Sequence, residues 1–228
     1  MSKINNHPLV QFEAISAYNK AAKTTSKDYP SLELVRLEKL FFNSKPGKIL
    51  EFGFGGGCNT FHLLKKKHIV TGIDIAHEAV KKMKSIISKK NYKKNLKVFL
   101  LNEKHKKLPF KSETFDYVVA MSVLSLLGSE KKVKNVLKEL KRVLKKNGKI
   151  IVDINDHNSE FSNKRIQIKK NIFVSNILEK NVKTFCLKSP KDFNKLISKF
   201  FKIIDVGYSA HRVFNRQIKE FIICAQKK

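Results

Sequence analysis

The chain places an acid inside an apolar stretch and three glycines directly after it. Glu51 sits in Ile49-Leu50-Glu51-Phe52, and Gly53, Gly55 and Gly57 follow at a G-x-G-x-G spacing. Glycines in such a turn adopt backbone conformations closed to other residues and bring N–H groups against a ligand. A dinucleotide fingerprint asks for G-x-G-x-x-G, and here the sixth position is Cys58. The spacing alone also fits a tight turn that binds nothing. A second acid, Asp74, ends Val70-Thr71-Gly72-Ile73, 21 residues after Gly53 (74 − 53). An acid at the tip of a second strand lies beside the first loop and can accept both hydroxyls of a ribose. Its competing role is a cap on the helix that follows. A third group, Asp153, Asp156 and His157, holds candidates for the general base that a hydroxyl nucleophile requires. The competing reading there is a solvated turn with an Asp as cap.

The acids and the loop together describe a ligand with an unphosphorylated ribose, since an acid disfavours a 2′-phosphate. Dinucleotides and S-adenosylmethionine both qualify at this point.

These residues need elements to hold them. Lys48 to Phe52, His68 to Ile73, Leu96 to Leu101, Phe115 to Ala120 and Lys149 to Ile154 are short apolar runs that read as strands. Between them, Asn59 to Lys67 and Ala76 to Lys89 read as helices. The clearest helix is Ser129 to Lys146, with Val133, Val136, Leu137, Leu140, Val143 and Leu144 on one stripe, Ser129 as cap and Gly148 beyond its end. This alternation predicts an α/β chain with a mostly parallel sheet covered on both faces. Val10 to Tyr18 and Leu32 to Phe42 predict two helices before the sheet. After it, Lys191 to Lys199 reads as a helix, and Phe201 to Tyr208 and Glu220 to Ala225 as antiparallel neighbours at the sheet edge. Ser159 to Thr184 is polar and irregular, fitting a lid or insertion.

Composition bounds the function. The 228 residues suit one α/β domain, and no apolar run approaches the roughly 20 residues that cross a membrane. Cys58, Cys186 and Cys224 lack metal spacing and read as free thiols in a reducing compartment, so a cytoplasmic location is expected. The net charge of +29 invites a nucleic-acid partner. Yet only 5 of the 48 basic residues are arginine, leaving 43 lysines spread along the chain rather than gathered in one footprint. Solvated helix faces explain them as well, and the field would favour anionic substrates on encounter.

Four stretches, in order, carry a resemblance: KILEFGFGGG, VTGIDIAHEAV, LPFKSETFDYVVAMSVLSLL and VLKELKRVLKKNGKIIVDI, covering Lys48 to Ile154. Together they resemble the class I S-adenosylmethionine-dependent methyltransferases of the small-molecule type 11 kind. The resemblance implies a Rossmann-like fold: a seven-stranded, mostly parallel sheet with an antiparallel last strand and helices on both faces. It implies a helical cap over residues 1–45 and a methyltransferase domain over 46–228, with a lid or insertion at about 156–190. It implies S-adenosyl-L-methionine as cofactor, with Glu51 ordering the loop around the methionine part. Phe52, Gly53, Phe54, Gly55 and Gly57 would line the loop, and Asp74 would hold the ribose with Ile75 on the adenine. Asn102 or Glu103 would meet the adenine amino group, and Ala120, Met121 and Ser122 would lie under the sulfonium. The chain departs from the family in LLNEKHKKLPF, where an Asp is usual, and in Lys146-Asn147-Gly148 before the fifth strand.

Methyl transfer is an in-line displacement from a cationic sulfur, so positioning and exclusion of water dominate and no fixed catalytic dyad is expected. The stretch AMSVL after strand four lacks the Asn/Asp-Pro-Pro-aromatic pattern of base amino-methylation, and no cysteine has the context for C5 chemistry. The expected acceptor is a small or glycan-like molecule, with Asp153, Asp156 and His157 as candidate catalytic residues and no metal. His105 and His211 are further candidates, and Tyr18, Tyr29 and Arg36 could cover the donor. An RNA or ribosome methyltransferase, a non-catalytic donor-binding protein and, more distantly, a nicotinamide dehydrogenase are the alternatives.

Overall fold

A computed structural model describes residues 7–24, 29–42, 45–89, 92–159, 166–177, 180–213 and 216–228. Ten strands are present among them: β1 (Lys48–Phe52), β2 (Ile69–Asp74), β3 (Leu96–Leu100), β4 (Phe115–Ala120), β5 (Leu144–Asn155), β6 (Ile166–Lys169), β7 (Ile172–Ile177), β8 (Lys180–Phe185), β9 (Phe201–Val213) and β10 (Arg216–Lys227). Seven form one sheet in the order β3-β2-β1-β4-β5-β10-β9. Strands β1 to β5 pair in parallel, and β10 runs antiparallel to both of its neighbours. The helices are α1 (Ile15–Thr24), α2 (Leu32–Phe41), α3 (Cys58–Lys65), α4 (His77–Lys89), α5 (Glu130–Val143) and α6 (Pro190–Ile197). This is the Rossmann-like sheet with an antiparallel last strand that the sequence predicts.

Successive residues on the central strands go to opposite faces, as strand geometry requires. Leu50, Val118 and Val152 join the α5 stripe and α6 on one side; Ile49, Val119 and Ile151 join Ala79, Val80 and Met83 of α4 and Leu34 of α2 on the other. Both faces are covered, so these strands read as continuous apolar runs rather than alternations. The strand tips all open at one end of the sheet, which is where ligands bind in this architecture.

β5, β9 and β10 are longer than the sequence expectation, and three other elements differ from it. The helix begun by Ser129, whose hydroxyl accepts from Lys132 N–H, stops at Val143 rather than Lys146. Its terminal carbonyls on Arg142 and Val143 accept from Glu113 and Thr114 N–H, and Leu144 turns extended to pair with Phe115. The first helix lies later than expected, over Ile15–Thr24, after a 3-10 turn at Phe12–Ala14. The stretch from Ser159 to Thr184 contributes β6, β7 and part of β8 to a separate three-stranded antiparallel sheet, while its residues 160–165 and 178–179 lie outside the described residues.

The cap before β1 is anchored by buried polar contacts. His68 Nδ1 accepts from Gly47 N–H, so Nε2 carries the proton and donates to the buried Glu38 carboxylate at 3.1 Å. Phe42 stacks on Tyr117 at 4.1 Å, and the Tyr117 hydroxyl donates to the Phe42 carbonyl. No described helix is long and apolar enough to cross a membrane.

Candidate active site

A cavity of about 480 Å³ opens at the carboxyl ends of β1, β2 and β4. The glycine turn forms its floor. Gly53, Gly55 and Gly57 have φ of +79°, +52° and +83°, the left-handed region that other residues enter at a cost. A Cβ on Gly53 would sit 2.7 Å from Val123 Cγ2, whereas one on Gly55, which lines the cavity, would meet nothing within 4 Å. Gly55 therefore leaves space open to a ligand, and Gly53 lets the loops after β1 and β4 pack together. Replacing Gly55 by Ala should cost about 1–2 kcal/mol of backbone strain and should weaken ligand binding about tenfold by intrusion. Gly53→Ala should lower stability more, because it adds the Val123 clash. Thermal unfolding and calorimetry with S-adenosylhomocysteine separate the two effects.

Asp74 lines the cavity from the tip of β2 and organises the turn. One carboxylate oxygen accepts from Gly55 N–H and the other from Ala76 N–H, each at 2.8 Å. Burial raises its pKa, while the Ala76 and Gly55 N–H groups pull it down. An ionised carboxylate has about four acceptor positions, so roughly two remain for a ligand. The sequence offered a ribose partner or a helix cap; the geometry accommodates both roles at once.

Glu51 is buried behind the turn and does not line the cavity; its carboxylate accepts from the Thr60 hydroxyl at 2.5 Å. Burial lifts its pKa from the ordinary 4.5 to about 8, against the Thr60 bond and with some help from Asp74. Phe52, Phe54, Ile75 and Met121 line the cavity, as does Leu101 just beyond β3. Gly57 caps α3 from outside the lining, and Ala120 is fully buried beneath it. Asn102 and Glu103 are exposed and outside the lining, with Asn102 occupied in a local turn with Lys104 and His105.

The three candidate catalytic residues are not brought together in the cavity. Asp153 is buried, and both its oxygens accept from Ser122 N–H at 2.7 and 2.9 Å. Ser122 has φ of +56° and lines the cavity, so Asp153 reaches the site by holding that strained residue in place. Burial and the nearby Glu220 carboxylate raise the Asp153 pKa. Asp156 bridges to Leu187, and His157 Nε2 lies 3.0 Å from both the Asn171 side chain and the Cys186 carbonyl. These two residues join the small sheet to the main one and are not among the residues that line the cavity. His105, His211 and Arg36 are also outside the lining, and Glu33 binds the Ser31 and Ser209 hydroxyls.

The cap supplies the cavity's other wall. Gln11 donates to the carbonyls of Leu126 and Lys183 at 2.5 and 2.7 Å, and Tyr18 donates to Leu126 at 3.0 Å. Burial raises the Tyr18 pKa, so its phenol keeps its proton. Ser31 N–H donates to Asn59 at 2.9 Å, tying the start of α2 to α3. Gln11 and Asn59 are residues the sequence did not mark, because nothing local distinguishes a polar side chain that ties distant segments together.

The residues fit S-adenosylmethionine. The volume lies within the range of small-ligand sites, one wall offers a carboxylate with free acceptor positions, Ile75 and Leu101 offer apolar surface, and Gly55 leaves room for close approach. When bound, that molecule supplies an electrophilic methyl group on a cationic sulfur.

The sheet order, the left-handed glycine turn and the acid at the tip of β2 define a Rossmann-like nucleoside-binding enzyme of the methyltransferase type. The Methyltransferase domain family matches residues 50–152. An uncharacterized protein of Methanocaldococcus jannaschii is 32% identical over 159 residues, covering 68% of this chain and 69% of the relative. A phosphatidylethanolamine N-methyltransferase of Cereibacter sphaeroides is 29% identical over 110 residues, 48% of this chain and 51% of the relative. The crystal structure of an S-adenosylmethionine-dependent methyltransferase from Methanosarcina mazei superposes with a TM-score of 0.70 at 22% identity, covering 82% of this chain and 96% of that one. The chain belongs to the class I S-adenosylmethionine-dependent methyltransferase family.

Proposed function

We propose that this methyltransferase acts on a small or glycan-like molecule whose reacting group is an amine. The observation that carries the reading is the charge of the cavity lining. Among the described residues it contains no lysine, arginine, histidine or glutamate, and its charged residue is Asp74. None of the described lysines, in a chain rich in them, belongs to this lining. A nucleic-acid acceptor would bring phosphates to the site and call for cations there. The net charge favours anionic substrates on encounter, but one anionic at its reacting end would likewise find no cationic partner among the described residues of that lining.

Among the described residues the lining offers neither a histidine nor a lysine as base, and its carboxylate, Asp74, is engaged with Gly55 and Ala76 N–H, which also bears on the acceptor. A hydroxyl must lose its proton as the methyl arrives, whereas a neutral amine attacks with its own lone pair and sheds a proton afterwards. Asp153, the best placed of the expected bases, is engaged with Ser122 and acts as a positioning residue in this reading. The relative named phosphatidylethanolamine N-methyltransferase agrees with nitrogen as the target atom. Methyl-labelled donor incubated with a cell extract should place its label in the low-mass, nuclease-resistant fraction. Label recovered in RNA would sink the proposal, and donor binding without any transfer would favour the non-catalytic alternative.

A further inference from the structure

A second cavity, of about 350 Å³, lies on the other side of Gln11. Four lysines from three elements line it: Lys131 and Lys132 from the first turn of α5, Lys169 from β6 and Lys183 from β8. Ser129, Asn135 and His7 add polar groups, and Glu13 is the lining carboxylate, 3.7 Å from Lys132. Four ammonium groups against one carboxylate leave three positive charges without a lining partner. His7 does not add to them: its Nδ1 accepts from Leu9 and Val10 N–H, and burial lowers its pKa.

Lysines are common in this chain, so their presence in a groove means little alone. Two observations separate this cavity from the background. The cavity next to it, sharing Gln11, contains no lysine among the described residues. And Lys132 is not a solvated side chain: it is 14% exposed, and both burial and the neighbouring Lys183 charge lower its pKa. A half-buried ammonium that feels the charge of Lys183, on the exposed face of β8, gains from an anion beyond the one that Glu13 supplies. The 14-residue helix α5 adds the positive end of its dipole in the same direction. Gln11 forms the partition, its amide fixed between the Leu126 and Lys183 carbonyls. Gly128 makes room for it, since a Cβ there would stand 2.4 Å from the Gln11 amide.

We propose that this cavity binds the phosphate group of a phosphorylated small molecule, at a site separate from the donor cavity. A phosphate dianion matches several converging lysines better than a single carboxylate does, and the volume exceeds what a bare anion needs. The assignment is independent of the amine acceptor and stands on anion binding alone.

Titration calorimetry of the full chain with inorganic phosphate and with glycerol phosphate, at constant ionic strength set by chloride, tests it. Both should bind saturably, the ester more tightly. The double variant Lys132→Gln/Lys183→Gln should bind each at least about tenfold more weakly, with S-adenosylhomocysteine binding unchanged. Absence of saturable binding, or equal binding by the double variant, would overturn the proposal, as would RNA binding without phosphate binding. Should that variant fail to bind S-adenosylhomocysteine and so prove misfolded, Lys131→Gln/Lys169→Gln, both exposed positions, carries the same expectation and the same refutation.

Discussion

Replacing Asp74 by alanine is expected to weaken S-adenosylhomocysteine binding by about 10²- to 10⁴-fold. Two acceptor positions of this carboxylate are taken by Gly55 and Ala76 N–H, and about two are left for ribose hydroxyls. Hydrogen bonds to a charged group contribute about 1.5–3 kcal/mol each, so two of them amount to about 3–6 kcal/mol. The alanine variant also leaves the two backbone donors without their carboxylate, so its glycine turn should loosen and its melting temperature fall. Asp74→Asn separates the roles. Its single side-chain oxygen can still serve one of the two N–H groups, so most of the fold's stability should persist while much of the affinity is lost. Calorimetry on both variants, alongside thermal unfolding, reads the two quantities independently. Wild-type affinity in Asp74→Ala would show that the acid is only a cap.

The positions legible from the sequence share a physical basis. β1 and β4 are buried on both faces and lie between glycine or polar breaks, so their apolar runs announce them. Asp74 was legible because the tip of a second strand can point to only one place. The wall beyond β3 was harder: the cavity is lined by Leu101 there, while the polar candidates Asn102 and Glu103 lie one and two residues on, in solvent. Sequence chemistry draws attention to polar atoms, and this wall is apolar. The small sheet escaped notice because β6 is exposed throughout, and β8 hides only Val182 and Thr184 between lysines and asparagine before its last residue, Phe185. Gln11 was invisible for a different reason. Its partners Leu126 and Lys183 are 115 and 172 residues away, and no local pattern encodes a contact that distant.

Asp153 shows how a correct location can carry a different role. It lies in β5 itself, near the carboxyl end of the sheet, as a catalytic acid there would require. The carboxylate nevertheless points back to Ser122, whose left-handed backbone needs an external partner. Such strain persists only where the surroundings hold it. Asp74 and Asp153 thus both hold backbone N–H groups of the loops around the cavity.

Glu51 takes this furthest. Its burial holds the carboxyl pKa at about 8 instead of the ordinary 4.5. Between those two values the folded protein keeps a proton that the unfolded chain has released, so stability falls as pH rises through that window and levels off above it. The full effect is about 5 kcal/mol, a large share of a domain's stability. Glu51→Gln, which preserves an acceptor for the Thr60 hydroxyl, should therefore match the wild type near pH 4.5 and become progressively more stable toward pH 8. Donor binding should move the opposite way. A cationic ligand beside the turn favours the ionised carboxylate, so wild-type affinity for S-adenosylmethionine should rise with pH up to about 8, with uptake of ligand releasing protons to buffer. In Glu51→Gln that pH dependence should vanish and affinity at pH 8 should drop. Thermal unfolding and calorimetry in buffers of different ionisation enthalpy measure both sides. A pH-independent wild-type affinity with no proton release would show that Glu51 is merely a buried scaffold acid. The expected outcome makes it an acid kept at a cost to folding because a cationic donor recovers that cost on binding.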